Sequence, residues 1–158
     1  MNVAITGHRE LPSATAELVD SAIRERLSLR AGGELVGLSC LADGADAIFA
    51  RAVLDAGGAL VAVVPATRYR DGLPASHHPM YDALIGSAAE VVRLDHEEST
   101  SQAHMDASVY MLGRAHELIA VWDGKPARGY GGTADVVRAA RERGVPVTVV
   151  WPAGAERD

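Results

Sequence analysis

A glycine-rich segment directly before an amphipathic stretch carries the clearest chemical signal in this chain. Residues 129–133 read GYGGT. Glycines such as Gly129, Gly131 and Gly132 allow positive φ angles and a close approach of the backbone to a ligand. The free N–H groups and the dipole of a helix that begins at Thr133 favour an anion. The segment therefore predicts a phosphate-binding loop without a lysine; a tight turn with Thr133 as an ordinary N-cap is the alternative interpretation.

The segment TGHR, residues 6–9, follows the first apolar run and offers a second group of candidates. Gly7 gives the backbone freedom at a strand end, and His8 and Arg9 are side chains suited to contact a phosphate or a sugar. The alternative interpretation is a plain turn with a solvent-facing histidine. The G-x-G-x-x-G pattern of dinucleotide enzymes is missing after this run, which disfavours a hydride-transferring dehydrogenase.

The segment LADGAD, residues 41–46, places two acidic residues at the start of a predicted helix. Carboxylates at that position complement the helix dipole, and Asp43 is the expected N-cap. A functional interpretation is that Gly44 allows close packing at the floor of a pocket while Asp43 contacts a ribose or an ordered water. Asp135, in the first turn of the last predicted helix, has the same two interpretations.

Other catalytic signatures are missing from the sequence. The six histidines show no HExxH or comparable ligand spacing, so we expect no metal site. There is no G-x-S-x-G nucleophile elbow. Cys40, the only cysteine, stands at a predicted strand end and is interpreted as a small core residue rather than a reactive thiol.

Six apolar runs of strand length alternate with five segments of helical spacing. Near-continuous Val, Ile, Leu and Ala in the runs indicates strands covered on both faces. The expected strands are residues 2–6, 34–40, 59–65, 90–94, 117–122 and 145–152, and the expected helices, with their caps, are 13–30, 43–57, 79–87, 101–115 and 133–144.

This alternation predicts an α/β, three-layer Rossmann-like fold with a mostly parallel central sheet and helices on both faces. Residues 66–79 are expected to form a long irregular loop. Ligands of such a sheet bind at the carboxyl ends of its strands, where the connections part to opposite faces. The residues predicted to contact a ligand there are Thr6, Gly7, His8, Arg9, Asp43, Gly44, Asp123, Gly129, Gly131, Gly132 and Thr133.

Length and composition narrow the class of protein. The 158 residues, 48% hydrophobic and 23% charged, predict one globular domain over residues 1–158. A net charge of -6 with scattered Lys and Arg makes nucleic acid an unlikely partner. A single cysteine and an N-terminus without a charged leader favour a cytoplasmic location. No apolar stretch approaches the ~18 residues that span a bilayer, so no membrane partner is expected.

Three motifs together resemble the SLOG superfamily: ITGHRE, GLSCLADGADAIFARAVLDAGGALVAVVP, and ELIAVWDG followed by GGTADVVRAARERGVPVTVV. That group includes the Lonely Guy phosphoribohydrolases, often mislabelled lysine decarboxylases, and the Rossmann-like part of the DNA-processing protein A family. The resemblance covers nearly the whole chain. It implies a modified Rossmann fold that binds nucleotides or nucleotide-derived ligands, with the phosphate at the glycine-rich loop. It also suggests a homodimer or higher homo-oligomer that buries the apolar fourth helix and a sheet edge.

The loop departs from the hydrolases of this group at their catalytic positions. Those enzymes usually carry PGGxGTxxE and an arginine on the preceding helix, whereas this chain has Val136 and Ala107 at the matching positions. Cleavage of a glycosidic bond needs a carboxylate, which valine does not supply. Asp135 and Arg9 are the remaining catalytic candidates.

The sequence is therefore compatible with three functions. The leading hypothesis is a cytoplasmic nucleotide-binding protein, a sensor or accessory module that requires no cofactor. The alternative is a divergent nucleoside 5'-monophosphate phosphoribohydrolase. The third, DNA handling by analogy with DNA-processing protein A, is disfavoured by the acidic charge balance.

Overall fold

The computed structural model describes residues 1–29 and 34–157 of the chain. Within these residues, each predicted apolar run forms a strand. The strands are β1 (Asn2–Gly7), β2 (Val36–Ser39), β3 (Ala59–Val64), β4 (Glu90–Arg93), β5 (Glu117–Val121) and β6 (Val147–Val150).

Five α-helices lie between the strands in the described part of the chain, as the sequence predicted. They are α1 (Ser13–Ser28), α2 (Ala45–Asp55), α3 (His78–Ser87), α4 (Ser101–Arg114) and α5 (Thr133–Glu142). The predicted end of α1 at Arg30 lies outside the described residues. No helix in 1–29 or 34–157 has the length and apolarity needed to cross a membrane.

All strand pairs are parallel, and the order across the sheet is β4-β3-β2-β1-β5-β6. Helices α1 and α2 pack on one face through a shared apolar cluster, and α3 joins α2 on that side. Helices α4 and α5 pack on the opposite face. The connections after β1 and β5 therefore leave in opposite directions, which makes the gap between these two strand ends the expected ligand site of such a sheet.

Burial explains why the runs are apolar without alternation. All five residues of β5 are buried, and so are Val3, Ala4 and Ile5 of β1, because helices cover both faces of the central strands. The edge strand β4 is covered less and carries exposed Glu90 and Arg93 at its ends. The three-layer α/β fold predicted from the sequence is confirmed, with a sheet that is wholly parallel.

Local predictions at the helix starts need correction. Pro12, rather than Ser13, occupies the N-cap of α1, with no side-chain cap bond. Gly44 (φ 87°), rather than Asp43, occupies the N-cap of α2, and the N-cap of α5 is Gly132. Thr133 is thus the first helical residue of α5 and not its cap.

Two further predictions differ from the structure. Residues 66–79 are not irregular throughout, because short 3₁₀ turns occupy Arg70–Gly72 and Ala75–His77. Helix α4 is buried on one side only. Its buried residues are Ala103, Ala107, Ser108, Met111 and Leu112, while Val109 and Tyr110 are half-exposed.

The ends of β1, β5 and α2 approach one another closely around Gly7. A Cβ atom at Gly7 would lie 2.4 Å from the Cβ of Ala45 and 2.8 Å from the Cβ of Val121. A Cβ at Gly44 would lie 2.6 Å from the carbonyl oxygen of His8. The sequence expectation that Gly44 permits close packing at the floor of the site agrees with this geometry.

Replacing Gly7 by alanine is expected to destabilise the protein by about 2 kcal/mol or more, because backbone and buried Cβ atoms must shift to admit the methyl group. Gly113→Ala is the matched control, since a Cβ there meets nothing within 4 Å. We expect that variant to be neutral or slightly more stable, by up to ~0.5 kcal/mol. Urea unfolding of both variants measures the effect, and equal stability of the two would contradict the crowding argument.

Candidate functional site

A cavity of about 440 Å³ opens at the carboxyl ends of β1 and β5, where the connections part. Its walls come from the segments after β1, β2, β3 and β5, from α4, and from Arg157 near the chain end. Eight of the predicted site residues line it: Thr6, Gly7, His8, Arg9, Gly129, Gly131, Gly132 and Thr133. The other four predicted residues, Asp43, Gly44, Asp123 and Asp135, lie outside this lining.

The glycine-rich loop has one left-handed residue. Of its three glycines, Gly131 alone has a positive φ angle (83°). A Cβ at Gly131 would lie 3.0 Å from the carbonyl oxygen of Ser101, and one at Gly132 would lie 2.9 Å from the Cβ of Ala127. Gly129 meets nothing within 4 Å. The prediction of positive φ angles therefore holds for Gly131 only, and Gly132 serves close packing within the loop.

The helix start presents two free amides to the cavity. The Gly131 amide donates to Oδ2 of Asp135 at 2.9 Å, and the Gly132 amide donates to the carbonyl oxygen of Gly129 at 3.2 Å. The amides of Thr133 and Ala134 donate to no group in the described residues, and both residues line the cavity. Of the loop predicted from the sequence to bind an anion, only these two N–H groups are without a partner among the described residues.

Asp135 stabilises the glycine-rich loop through a hydrogen bond. Besides accepting from Gly131, its carboxylate lies 3.6 Å from the guanidinium of Arg138. The side chain is absent from the cavity lining. In this arrangement Asp135 stabilises the loop conformation and does not face the space where a ligand would lie.

Four basic side chains line the cavity. Lys125, Arg128 and Arg157 line it beside the loop, and Arg9 lines it at the end of β1. Burial and the neighbouring Arg128 lower the pKa of the Arg157 guanidinium, and its Nη1 lies 3.8 Å from Oδ2 of Asp123. Sequence reasoning missed Arg157 because it follows the last strand by seven residues and reaches the site only through the fold.

His8 is the central buried polar residue of the site, with a 4% exposed surface. The Asp123 amide donates to its Nε2 at 3.1 Å, so the ring proton is placed on Nδ1, which lies 3.5 Å from Oγ1 of Thr133. Burial and the charge of Arg157 lower the pKa of His8, although the Asp123 carboxylate at 3.3 Å acts in the opposite direction. A neutral His8 thus connects the ends of β1 and β5 with the start of α5, and the prediction of a solvent-facing turn does not hold.

Arg9 is held at the rim of the cavity by Asp43. Its Nε donates to Oδ1 of Asp43 at 2.9 Å, and the Glu10 amide donates to the other carboxylate oxygen at 3.1 Å. The Asp43 side chain therefore does not cap α2 but fixes the direction of Arg9. The predicted contact of Asp43 with a ribose or a water stays a prediction.

Asp46 is a cavity residue that sequence reasoning did not select. It lines the end of the cavity away from α5. Burial raises the pKa of its carboxyl to about 7, because the long hydrogen bond from the Ala42 amide (3.4 Å) and the charge of Arg9 compensate only in part. The sequence did contain one signal for this residue. Asp46 is the second acidic residue of the DGAD segment, and it directly follows Ala45, which is buried in the structure.

Cys40 and the histidines add little reactive chemistry. Cys40 is half-buried, lines the cavity, and has a pKa well above that of a free thiol because of burial, so its thiol stays protonated. His104 donates to or accepts from Ser99 Oγ at 2.8 Å, and burial lowers its pKa. In residues 1–29 and 34–157, no three His, Cys, Asp or Glu side chains converge as metal ligands.

Among known proteins, solved structures are similar to this chain, and the similarity concerns the fold. No protein-family model and no curated protein sequence matches the chain. Solved structures do match. DNA processing protein A (DprA) from Streptococcus pneumoniae superposes with a TM-score of 0.72 at 22% identity, covering 97% of this chain and 51% of that protein. The chain therefore spans about half the length of this DprA.

Two other solved structures extend the comparison. A DprA from Helicobacter pylori, described for its single-stranded DNA binding mode, has a TM-score of 0.66 at 16% identity and covers 99% of this chain and 68% of its own. A molybdenum cofactor binding protein from Rippkaea orientalis has a TM-score of 0.60 at 11% identity, covering 94% of this chain and 74% of its own. All three structures are less than 25% identical to the chain, so the likeness shows the fold alone: the chain has the Rossmann-like fold that its motifs predicted.

The contribution of Asp46 to the free energy of unfolding is expected to fall as the pH rises from about 4 to about 7. The folded protein holds the Asp46 proton up to a pKa of about 7, against an ordinary value of 3.8. Stability from this group is thus full below the ordinary value and is lost as the pH rises, by about 1.4 kcal/mol per pH unit between the two values. Asp46→Asn removes this dependence.

Urea unfolding at pH 5, 6, 7 and 8 measures the difference between the wild type and Asp46→Asn. We expect the variant's advantage to grow up to about pH 7 and then level off. Asp55→Asn, at the exposed end of the same helix, is the control and should follow the wild-type profile. Parallel profiles for Asp46→Asn and the wild type would show that the carboxyl is not buried as described.

Proposed function

We propose that this protein binds a nucleotide or nucleotide-derived ligand in the cavity between β1 and β5, with an anionic phosphate on the amides of Thr133 and Ala134. The observation that carries the proposal is the pair of unpartnered amides at the start of α5, which face a cavity lined by four basic residues. A helix N-terminus of this kind favours a phosphate, and positive side chains strengthen the attraction.

The size and shape of the cavity support a ligand larger than a phosphate ion. Its volume of about 440 Å³ lies in the range of small-molecule sites. It sits at the topological switch point of the sheet, where open α/β proteins bind their ligands. A structural neighbour is described as a molybdenum cofactor binding protein, so a related fold holds an organic cofactor. The cytoplasmic location and the homo-oligomer remain predictions from the sequence.

Glycosidic hydrolysis has less support than binding. The catalytic candidate Asp135 braces Gly131 and points away from the cavity lining. Arg9, the second candidate, lines the cavity but is paired with Asp43 at 2.9 Å. We therefore propose a binding protein, and base release from nucleoside monophosphates is the observation that would favour the hydrolase instead.

Single-stranded DNA is a second candidate ligand. Two structural neighbours are DprA proteins, and one is described for its single-stranded DNA binding mode. The sequence prediction that nucleic acid is an unlikely partner is therefore not supported. The local positive lining would serve a strand phosphate as well as a free nucleotide, despite the net charge of -6.

A pair of substitutions at Thr133 tests the amide seat. Thr133→Pro removes the free N–H, and the backbone is prepared for it, because proline suits the first position of a helix and Gly132 before it is extended (φ -72°, ψ 177°). Thr133→Ala keeps the N–H and removes only the hydroxyl. We expect the proline variant to bind nucleoside monophosphates roughly 10- to 100-fold more weakly than the alanine variant, the effect of one charge-assisted hydrogen bond.

Isothermal titration calorimetry with a panel of nucleoside monophosphates and pyrophosphate measures this ratio, and thermal melting confirms that both variants are folded. Equal affinities in the two variants would remove the amide seat from the proposal. Absence of binding by every ligand at millimolar concentration in the wild type would overturn the proposal as a whole.

Arg157→Gln tests the DNA candidate. If a strand lies across the cavity, fluorescence anisotropy with a labelled oligothymidine should show an affinity that falls with salt, and this variant should reduce the slope of log K against log salt by about 1. Arg51→Gln, an exposed arginine of α2 outside the cavity, is the control and should leave the slope unchanged. No salt-dependent binding in the wild type would exclude this candidate.

A further inference from the structure

The cavity has two chemically different ends, and the proposed phosphate seat uses only one of them. Beside α5 the lining is basic. At the other end the walls come from β1, from the segments after β2 and β3, and from α4. They combine the apolar side of the lining with three polar or charged side chains: Ile5, Cys40, Ala42, Pro65, Tyr69 and Met111, and Arg9, His104 and Ser108. Asp46 lines the same end and is the one carboxylate in the lining among the described residues.

The Asp46 carboxylate has unused capacity for hydrogen bonds. Its Oδ2 receives the Ala42 amide at the long distance of 3.4 Å. No other donor reaches the carboxylate within the described part of the chain. A carboxylate accepts about four hydrogen bonds, so this half-buried group keeps acceptor capacity on the side of the cavity that it lines. Desolvation raises its pKa.

The segment that carries Asp46 is held in place despite backbone strain. Leu41 has a φ angle of 61°, a left-handed conformation that a leucine rarely adopts. Its amide donates to Oγ of Ser39 at 3.1 Å, and that hydroxyl donates to the carbonyl oxygen of Asp46 at 3.0 Å. Nε2 of His77 lies 2.9 Å from the Leu41 carbonyl oxygen. The fold thus fixes the position of a carboxyl that contributes nothing evident to stability.

Resting on the proposed nucleotide function, we propose that Asp46 selects the ring of the ligand by accepting two adjacent N–H groups, the ring N–H and exocyclic amine of guanine or of a pterin. The two oxygens of a carboxylate match two donors placed side by side. Adenine presents an acceptor beside its amine and lacks this edge. The apolar walls suit a flat aromatic ring.

The selectivity should depend on pH, because the carboxylate accepts both N–H groups only when it is ionised. Burial places this ionisation at a pKa of about 7, so the preference for guanine over adenine should weaken from pH 8 to pH 6. The ratio of the two affinities cancels the titration of the ligand phosphate. The charged and titratable groups that face Asp46 or share its end of the cavity are Arg9, Asp43, Cys40, Tyr69 and His104.

The test compares three nucleotides by calorimetry: guanosine, adenosine and xanthosine monophosphate. We expect the wild type to bind the guanosine nucleotide at least tenfold tighter than the other two. Asp46→Asn presents one acceptor and one donor, which matches the ring N–H and 2-oxo group of xanthine, so this variant should reverse the preference from guanosine to xanthosine. The same acceptor and donor also match the amine and the adjacent ring nitrogen of adenine, so the variant's affinity for the adenosine nucleotide should rise as well, and Asp55→Asn should behave as the wild type. Dihydroneopterin monophosphate, added as a fourth ligand, distinguishes a pterin from a guanine source.

Equal affinity of the wild type for the guanosine and adenosine nucleotides would overturn the role of Asp46. In that case, a loss of affinity for both nucleotides in Thr133→Pro would leave the proposed phosphate-binding function standing, without selectivity for the ring. Failure of all nucleotides to bind would instead overturn the proposed function. Should Asp46→Asn not fold, the wild-type ranking at pH 6 and pH 8 decides the question by itself.

Discussion

The close approach of three backbone segments around Gly7 determines where everything else in the site can lie. Gly7 has no side chain, so the end of β1 fits between Ala45 of α2 and Val121 of β5. The next residue, His8, is thereby buried and connects Asp123 with Thr133. The two free amides of α5 face the cavity because this packing fixes the helix start against the strand ends. A side chain at position 7 would separate these segments and displace both ends of the cavity.

The charge of the site differs in sign from that of the whole chain. The sequence carries a net charge of -6, yet four basic residues and one carboxylate line the cavity among the described residues. Fields of this kind act locally, since screening limits them to about 10 Å at ordinary salt. A net charge therefore says little about which ligand a cleft accepts. The prediction that nucleic acid is an unlikely partner used the net charge of the whole chain. The proposal of a phosphate ligand uses the charges that line the cavity.

The sequence predicted those features that depend on local patterns. Near-continuous apolar runs indicated buried parallel strands, and a glycine-rich segment before an amphipathic one indicated an anion-binding helix start. These signals located Thr6 to Arg9 and Gly129 to Thr133 at one site. Asp46, Arg157 and the unpaired state of two particular amides depend on contacts between distant segments. For Asp46 the only local signal was the second acid of DGAD, and for the other features no pattern of neighbouring residues gave one.

Some of the wrong local predictions have a common physical origin. Asp43 has the residue type of an N-cap, but its carboxylate pairs with Arg9, a stronger charged partner brought close by the fold. Thr133 likewise has the type of a cap but lies one residue inside the helix, where Gly132 takes the capping position. Residue type predicts what a side chain can do, and the tertiary structure decides which of several partners it has.

The anchoring of residues 152–157 has a consequence for how firmly a ligand is held. Thr15, at the buried start of α1, both donates to the carbonyl oxygen of Glu156 (2.9 Å) and accepts from its amide (2.8 Å). In the proposed complex, Arg157 would therefore meet the ligand with its backbone already held, and little conformational entropy would be lost on contact. The position of Arg157 at the cavity thus depends partly on two hydrogen bonds made at the buried start of α1.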